Sequence, residues 1–265
     1  MLTKIRLLKM KKGLVLLISF LCLNNTLKAQ IDFIDRYEEL NTITTAVPFL
    51  IISPDAKAGG MGDVGVASTP DAMSMHWNPA KYAFIDDQAG VAVCYTPWLK
   101  SLIPDIDLSY LSGYTKRNDN EAFAFALRYF TLGEIKFTDN SGNSLGSFNP
   151  NELAISSTYA RKLTDNMSSA IAIRYIYSNL TGGQQVGTLP TEAGQSIAGD
   201  VAAFYTKPIR LGSQNADFSL GLNISNIGSK IAYTETTVRD FIPTNLRFGT
   251  ALTTAIDNYN KISFE

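Results

Sequence analysis

Histidine and cysteine are almost missing from the sequence. One histidine (His76) and two cysteines (Cys22 and Cys94) occur in 265 residues. Structural zinc sites are built from several Cys and His ligands, and disulfide-stabilised domains need several cysteine pairs. Both classes are therefore excluded, and a single histidine makes acid–base catalysis by imidazole improbable. We expect no metal, no cofactor and no enzymatic activity.

Long apolar runs are also missing beyond the N-terminus. The longest run, Ala46 to Ile52, is interrupted by Pro48, whereas a membrane-spanning helix needs about 20 apolar residues. A transmembrane β-strand needs only about 9–11 residues of alternating polarity. The chain after residue 29 is therefore expected to be either a soluble domain or a membrane β-barrel.

Basic residues are scarce once the first 29 residues are set aside. Those residues hold six Lys and Arg side chains and no acid, so residues 30–265 carry 17 basic against 24 acidic side chains. Nucleic-acid binding needs a basic surface. We therefore expect no nucleic-acid partner.

Residues 1–29 have the order of a secretory signal peptide. A cationic stretch to Lys12 precedes the apolar run Gly13 to Leu23, and Ala29 closes a short polar stretch. An apolar run of this length is too short to span a bilayer as a helix. The pattern predicts export, with cleavage after Ala29.

From Gly90 onward, long segments of alternating polarity are separated by turn-rich stretches. In one segment Phe123 and Phe125 share a face, whereas Ala124 and Arg128 share the opposite face, which is the period of a β-strand. The predicted strands are Gly90–Leu99, Asp105–Lys116, Glu121–Glu134, Asn151–Leu163, Met167–Asn179, Ser196–Pro208, Phe218–Ile227 and Asn245–Ile256.

Two features of these strands favour an outer-membrane barrel over a soluble β-sandwich. The face opposite the large apolar side chains carries Ala, Gly and Ser with isolated charges, whereas a sandwich would expose many charges to water. The isolated charges, expected to face the lumen, are Asp107, Arg128, Arg174 and Arg247. Aromatic residues near strand ends are typical of membrane interfaces. They are Tyr95 and Trp98, the two expected interface anchors, and Tyr110, Tyr114, Tyr175, Tyr177 and Tyr205.

Residues 30–89 lack long alternation and are rich in Gly, Pro and Asp. No Lys-Ser/Thr follows the glycines, which excludes a phosphate-binding loop. We expect this region to be a plug inside the barrel, held by the lumen charges, with glycines that allow tight turns and close packing. The plug motifs are Gly59, Gly60, Met61, Gly62 and Asp63, then His76, Trp77, Asn78, Pro79 and Ala80.

These motifs also carry a family resemblance. The stretch Ala58 to Ala67 and the Asn78-Pro79-Ala80 string resemble the plug of FadL-type barrels, which move hydrophobic molecules across the outer membrane. Three more specific strings resemble the PorV family, the FadL-like outer-membrane proteins of the type IX secretion system. They are Ser53–Ala56, Met73–Lys81 (MSMHWNPAK) and Tyr95–Leu99 (YTPWL).

The resemblance implies a lipid-embedded barrel of about fourteen strands. It also implies a role: binding the C-terminal signal domain of secreted cargo as it leaves the secretion channel, and passing the cargo to a surface attachment complex that contains a sortase. The sequence ends near a ninth strand at Lys261–Glu265. We therefore expect residues 90–265 to be the N-terminal part of the barrel in a truncated chain.

Two other functions remain open from the residues. A FadL-type transporter of hydrophobic small molecules would explain the plug and the barrel alone. A lipid-modifying enzyme would rest on His76 with Ser74 and Asp71 nearby, although no nucleophile-elbow Gly-x-Ser-x-Gly is present. If cargo binds, the segments 179–194 and 140–149 are the expected contacts, because loops on rigid scaffolds carry recognition.

Overall fold

The segments of alternating polarity form a large antiparallel sheet, and the turn-rich residues that precede them pack against one face of that sheet. The computed structural model describes residues 45–98, 105–138, 141–183, 190–212, 214–234, 239–257 and 260–265. The predicted signal peptide lies outside them. Among these residues no helix has the length and apolar character needed to cross a bilayer.

The strands are antiparallel to their neighbours and follow chain order, apart from one inserted hairpin. Nine of them form the main sheet in the order β1-β2-β3-β6-β7-β8-β9-β10-β11, and β4 pairs only with β5. The strands are β1 Ala89–Pro97, β2 Ile106–Asn118, β3 Glu121–Leu132, β4 Ile135–Thr138, β5 Ser144–Phe148, β6 Asn151–Thr164, β7 Met167–Asn179, β8 Gly194–Leu211, β9 Gln214–Gly228, β10 Asn245–Ala255 and β11 Lys261–Phe264.

The predicted all-β class is confirmed. The eight predicted strands correspond to β1, β2, β3 and β6 to β10, and the terminal stub is β11. Within the described ranges β1 and β11 are the two edges and do not pair with each other, so the sheet is an open barrel wall. The β4–β5 hairpin was not predicted, because its strands are short and flank a polar, glycine-containing turn.

The two ends of the sheet differ in their connections. Tight turns join β2 to β3, β6 to β7 and β8 to β9, and we call this the tight-turn end. Longer connections lie at the opposite, long-connection end. They span residues 98–105, 133–150 with the inserted hairpin, 180–193 and 229–244.

Residues 45–85, which we call the inner-face segment, cover one face of the sheet. The segment contains α1 (Ala56–Gly60), α2 (Ser74–Trp77) and two 3-10 helices, Pro48–Ile51 and Pro79–Phe84. Asp55 caps α1 by accepting a hydrogen bond from the Lys57 amide at 2.9 Å, which satisfies one of the free N–H groups at a helix start.

The inner-face segment runs from the long-connection end to the tight-turn end. Its first part, around Phe49, packs with Leu108, Phe130 and Ile176 at the long-connection end. Its last part, around Tyr82, belongs to a second cluster in which Tyr114, Ala122, Ala124, Ala160, Ala170 and Phe204 lie near the tight turns. The chain therefore crosses the length of the sheet before β1 begins.

Candidate functional site

Arg128 links the wall to the inner-face segment. The alternation of β3 places it on the inner face with Ala122, Ala124 and Ala126. Its Nη1 donates to the carbonyl oxygens of Phe49 and Leu50, both at 2.7 Å, and its Nη2 lies 2.7 Å from His76 Nδ1. One buried guanidinium thus holds two separate parts of the segment.

His76 lies between two arginines of the wall. Arg247 on β10 approaches the other ring nitrogen, with Nη2 3.4 Å from Nε2, and its Nη1 donates to the His76 carbonyl at 3.3 Å. Guanidinium groups only donate, so the shorter contact assigns the acceptor to Nδ1 and the proton to Nε2. Burial, and then the positive charges of Arg128, Arg247 and Arg174, hold the pKa of His76 well below its usual value of 6.5. The imidazole is therefore a neutral link.

Arg174 is paired within the wall. Its Nη2 lies 2.8 Å from Asp200 Oδ2 and its Nη1 3.2 Å from Oδ1, while its Nε donates to Ser156 Oγ at 2.9 Å. The ladder between β8 and β9 shifts register at Asp200, and Asn226, at φ 60°, donates its amide to Asp200 Oδ1 at 2.8 Å. These bonds tie strands to each other, and none of them reaches the inner-face segment.

Neutral polar side chains also bind the backbone of the segment. Asn223 Nδ2 donates to the Trp77 carbonyl at 3.0 Å, and Ser168 Oγ donates to the Ala80 carbonyl at 2.7 Å. From the segment, Asn78 Nδ2 donates to the Ala203 carbonyl of β8 at 3.0 Å, while its Oδ1 accepts from the Ala80 amide at 3.1 Å, next to Pro79. Buried backbone groups that leave water need such partners.

Two glycines of the wall make room for the segment. Gly221 and Gly249 lie opposite each other on β9 and β10. A Cβ on Gly221 would lie 2.0 Å from the Val66 carbonyl oxygen, and one on Gly249 would lie 2.6 Å from a Val66 methyl group. Within the segment, a Cβ on Gly65 would lie 2.6 Å from the Trp77 ring. These are the positions where close approach requires glycine.

The predicted plug motif from Gly59 to Asp63 has another reason for its glycines. All five residues are exposed, and a Cβ at Gly60 or Gly62 would meet nothing within 4 Å. The expectation of close packing at these positions is therefore wrong. Gly62 at φ +85° and Asp63 at φ 61° form a tight turn after α1, so turning alone accounts for the Gly-Met-Gly-Asp string.

Asp107 does not face the lumen, and that expectation is wrong. It shares the outward face of β2 with Ser109 and accepts a hydrogen bond from the Tyr95 hydroxyl at 2.5 Å. The reason is its position one residue after the start of β2, at the rim, where water can solvate a carboxylate. Tyr95 and Trp98 are exposed near this rim, and their role as interface anchors stays a prediction.

Tyr110 and Tyr114 were grouped with the interface aromatics, and this expectation is also wrong. Both side chains are buried on the inner face. Tyr114 stacks against Tyr82 of the segment with ring centroids 5.4 Å apart, and Tyr110 lies under the Arg128 guanidinium at 5.2 Å.

The geometry around His76 does not form a nucleophile–base pair. Ser74 Oγ bonds Asp71 Oδ1 at 3.2 Å, whereas both ring nitrogens of His76 face arginines. A general base needs a free acceptor directed at the nucleophile. Within the described ranges, no three His, Cys, Asp or Glu side chains are grouped closely enough to hold a metal ion.

Three residues that hold this site were not predicted. Asp200 is a lone charge on the Ala-rich face of β8, Asn223 lies on the small-residue face of β9, and Lys81 is fully buried in the segment. Alternation alone could have marked Asp200 and Asn223 as inward. The sequence pattern does not indicate that Lys81 is buried. Its partners, the Gly65 carbonyl at 2.8 Å and Ser68 Oγ at 3.0 Å, lie in a loop whose position the pattern does not predict.

The comparison with known families adds one finding. A family model described as "Type IX secretion system protein PorV" matches residues 35–265, which includes the whole inner-face segment and every strand. No curated protein matches the sequence.

Proposed function

Because the chain belongs to the type IX secretion system protein PorV family, a family of outer-membrane secretion components, we propose that it receives secreted cargo proteins. In this proposal it binds their C-terminal signal domains as they leave the channel subunit. It then delivers them to the surface attachment complex with its sortase. Type IX secretion and the outer membrane follow from the family, whereas cargo binding and delivery are the proposal.

The proposal includes a division of the chain. Residues 1–29 are the signal peptide, residues 30–89 the plug and residues 90–265 the barrel wall. The placement of residues 45–85 along the inner face supports the plug, and the large apolar side chains of the opposite face support a wall in lipid. Short turns face the periplasm and long loops face outward in such barrels, so the long-connection end is assigned to the cell surface.

One observation carries the preference for a protein-binding role over transport of small solutes. The inner-face segment is bonded to the wall in both its first and its last part, by Arg128 at Phe49 and by Ser168 at Ala80. Opening a path along the inner face would break buried hydrogen bonds that nothing on that face replaces. A scaffold whose interior is fixed has its exposed loops available for recognition.

The described residues of the 229–244 connection, at the long-connection end, make several contacts with the rest of the chain. Ile231 and Ile242 of the 229–244 connection are buried against the segment, and the Ala46 amide donates to the Phe241 carbonyl at 2.9 Å. Tyr233 donates its hydroxyl to Ser178 Oγ at 2.9 Å, and burial raises the pKa of Tyr233 to about 12. The described residues of this connection are therefore held in place by the segment and the wall.

Apolar and cationic groups are exposed on that surface. The ring of Phe241 is half exposed, and Lys230 Nζ lies 3.9 Å from its centroid. On the β4–β5 hairpin, Ile135 is also exposed, and Phe148 contacts Gly182 of the 180–193 connection. We propose that these connections contact the cargo domain.

The test is affinity purification of the tagged full-length gene product from detergent-solubilised outer membranes, with mass spectrometry of the retained proteins. The double variant Phe241→Ala/Lys230→Ala is compared with Arg117→Ala, a control at the tight-turn end. The proposal predicts that secreted proteins sharing a C-terminal domain are retained by the parent and the control, and lost in the double variant. Retention of lipid-like molecules without cargo would instead support a FadL-type transporter.

A further inference from the structure

We propose that a cleft at the long-connection end binds a basic side chain, lysine or arginine, of the secreted cargo. The cleft lies between the first part of the inner-face segment and the end of β1, and it shares no lining residue with the 229–244 connection. This role rests on the proposed function, because it gives the cargo a second contact at the same end of the sheet.

The cleft has the size and the apolar wall of a ligand pocket. Its volume is about 640 Å³, within the range of about 300–1,000 Å³ that is usual for such pockets. The apolar wall includes Ile51 and Ile52 of the segment and Pro97 and Trp98 of β1. The Trp98 amide donates to the Ile106 carbonyl at 2.8 Å, so β2 holds this wall in place.

The cleft also contains a buried carboxylate without an ion-pair partner. Asp55 lines the cleft and is 8 % exposed. Its Oδ1 accepts from the Lys57 amide at 2.9 Å, whereas its Oδ2 has no hydrogen-bond partner among the described residues. The carboxylate of Asp63 lines the same cleft and forms no hydrogen bond or ion pair with any described residue.

The two lysines of the inner-face segment do not pair with these carboxylates. Lys57 Nζ lies 3.2 Å from Asp71 Oδ2, and Lys81 Nζ donates to the Gly65 carbonyl at 2.8 Å. Within the described ranges, no further His, Cys, Asp or Glu side chains join the two carboxylates to form a metal site. The cleft therefore offers acceptors that lack a cation.

This combination of apolar wall and carboxylates selects among ligands. An anionic ligand would be repelled by two carboxylates. A purely apolar ligand would cover Asp55 without replacing the water that solvates its free oxygen, which is costly. A basic side chain satisfies both parts of the cleft, since its aliphatic stem packs on the apolar wall and its charged head donates to the carboxylates.

The test measures binding of one cargo protein, retained by the parent in the affinity purification, to the full-length protein immobilised in detergent. The variant Asp55→Asn/Asp63→Asn removes both charges of the cleft. Asparagine keeps the capping acceptor of α1 and tolerates the φ of 61° at Asp63. The control Asp86→Asn/Asp87→Asn removes two exposed carboxylates that precede β1 at the tight-turn end.

Loss of one hydrogen bond to a charged group corresponds to about tenfold in affinity or more. We expect the Kd for the cargo protein to rise by at least that factor in Asp55→Asn/Asp63→Asn and to stay unchanged in the control. An equal change in both double variants, or none in either, would overturn the role of the cleft and leave the proposed function standing. If the parent retains no cargo protein, the proposed function fails, and the role of the cleft fails with it.

A second measurement identifies the partner side chain. Each lysine and arginine in the C-terminal domain of the cargo protein is replaced by glutamine in turn. One replacement should weaken binding to the parent and leave binding to Asp55→Asn/Asp63→Asn unchanged, because both changes remove the same contact. If every replacement affects the parent and the double variant alike, no basic side chain enters the cleft and the proposal is wrong.

Discussion

The two faces of the sheet are made from the same strands but carry different chemistry. On β7 the outward side chains Ile171 and Ile173 are more than 60 % exposed, whereas Ala170 and Ala172 on the inner face are buried. On β10, Leu246 and Phe248 point outward, whereas Arg247 and Gly249 face the segment. The outward face makes its contacts with the surroundings of the protein, whereas the inner face packs against the inner-face segment.

This difference shows where specificity is needed. In the proposed barrel the outward face meets lipid, so any large apolar side chain is suitable there. The inner face must match one particular segment, so its residues are small where the backbone approaches and polar where carbonyl oxygens must be satisfied. Substitutions on the two faces should therefore destabilise the protein for different reasons.

The largest effect is expected for Arg128→Met on the inner face. It leaves the carbonyl oxygens of Phe49 and Leu50 and the Nδ1 of His76 without their donor. Leaving a buried acceptor without its hydrogen-bond partner costs about 1–3 kcal/mol, so three such acceptors cost about 3 kcal/mol or more. We expect the free energy of unfolding to fall by this amount and the inner-face segment to become sensitive to protease. In the control Arg161→Met, the exposed arginine lies 3.8 Å from Glu121, and the change should stay within about 0.5 kcal/mol.

On the outward face, Ile173→Lys should destabilise only in a bilayer. A lysine at the lipid-facing midplane costs about 2–4 kcal/mol, while the inner face is untouched. Urea titration of the protein in liposomes and in detergent measures the difference, with Ile173→Leu as the volume-matched control. An equal loss in both media would show that this face does not meet lipid.

Gly221→Ala tests the fit between wall and segment. The added methyl group would lie 2.0 Å from the Val66 carbonyl oxygen, and overpacking costs about 1–3 kcal/mol. Gly199→Ala is the matched control, since its nearest atom would be at 3.5 Å. Chemical unfolding should separate the two variants. If they unfold alike, the close approach of Val66 is not a constraint.

The effect that develops most gradually is a pH dependence from Lys81, which cannot exceed about 1.4 kcal/mol per pH unit. Burial lowers the pKa of this fully buried amine from 10.5 to about 8, so the unfolded chain binds more protons between these two values. Stability should therefore rise as pH increases from about 8 toward 10.5. Unfolding temperatures across this range should show the rise in the parent and lose it in Lys81→Met. Stability that falls in both proteins would contradict the assignment.

Much of the wall could be predicted from sequence, because alternation is a local property. The faces of Phe123 and Arg128 follow directly from a period of two. Asp107 was misplaced because a charge at a strand rim can be solvated outside, as its bond to Tyr95 shows. A charge in mid-strand cannot, and Arg128 and Arg174 lie on the inner face.

The contacts of the site could not be predicted, because they join distant parts of the chain. His76 meets Arg128 and Arg247 across 52 and 171 residues. Nothing in the local pattern pairs these three side chains. The fit of Val66 against Gly221 likewise depends on where a turn-rich loop crosses the sheet. Composition indicated a crowded interior, but not which groups would meet there.

The most direct test of the account is the orientation of the two ends of the sheet. Single cysteines are introduced at Thr45, at the long-connection end, and at Asp119, in the β2–β3 turn, with Cys22→Ala and Cys94→Ser as background. Both positions are exposed. Intact cells are treated with a membrane-impermeant maleimide. The account predicts that Thr45→Cys is labelled in intact cells and that Asp119→Cys is labelled only after the outer membrane is permeabilised. The reverse pattern would place the proposed cargo-binding surface in the periplasm and contradict the account.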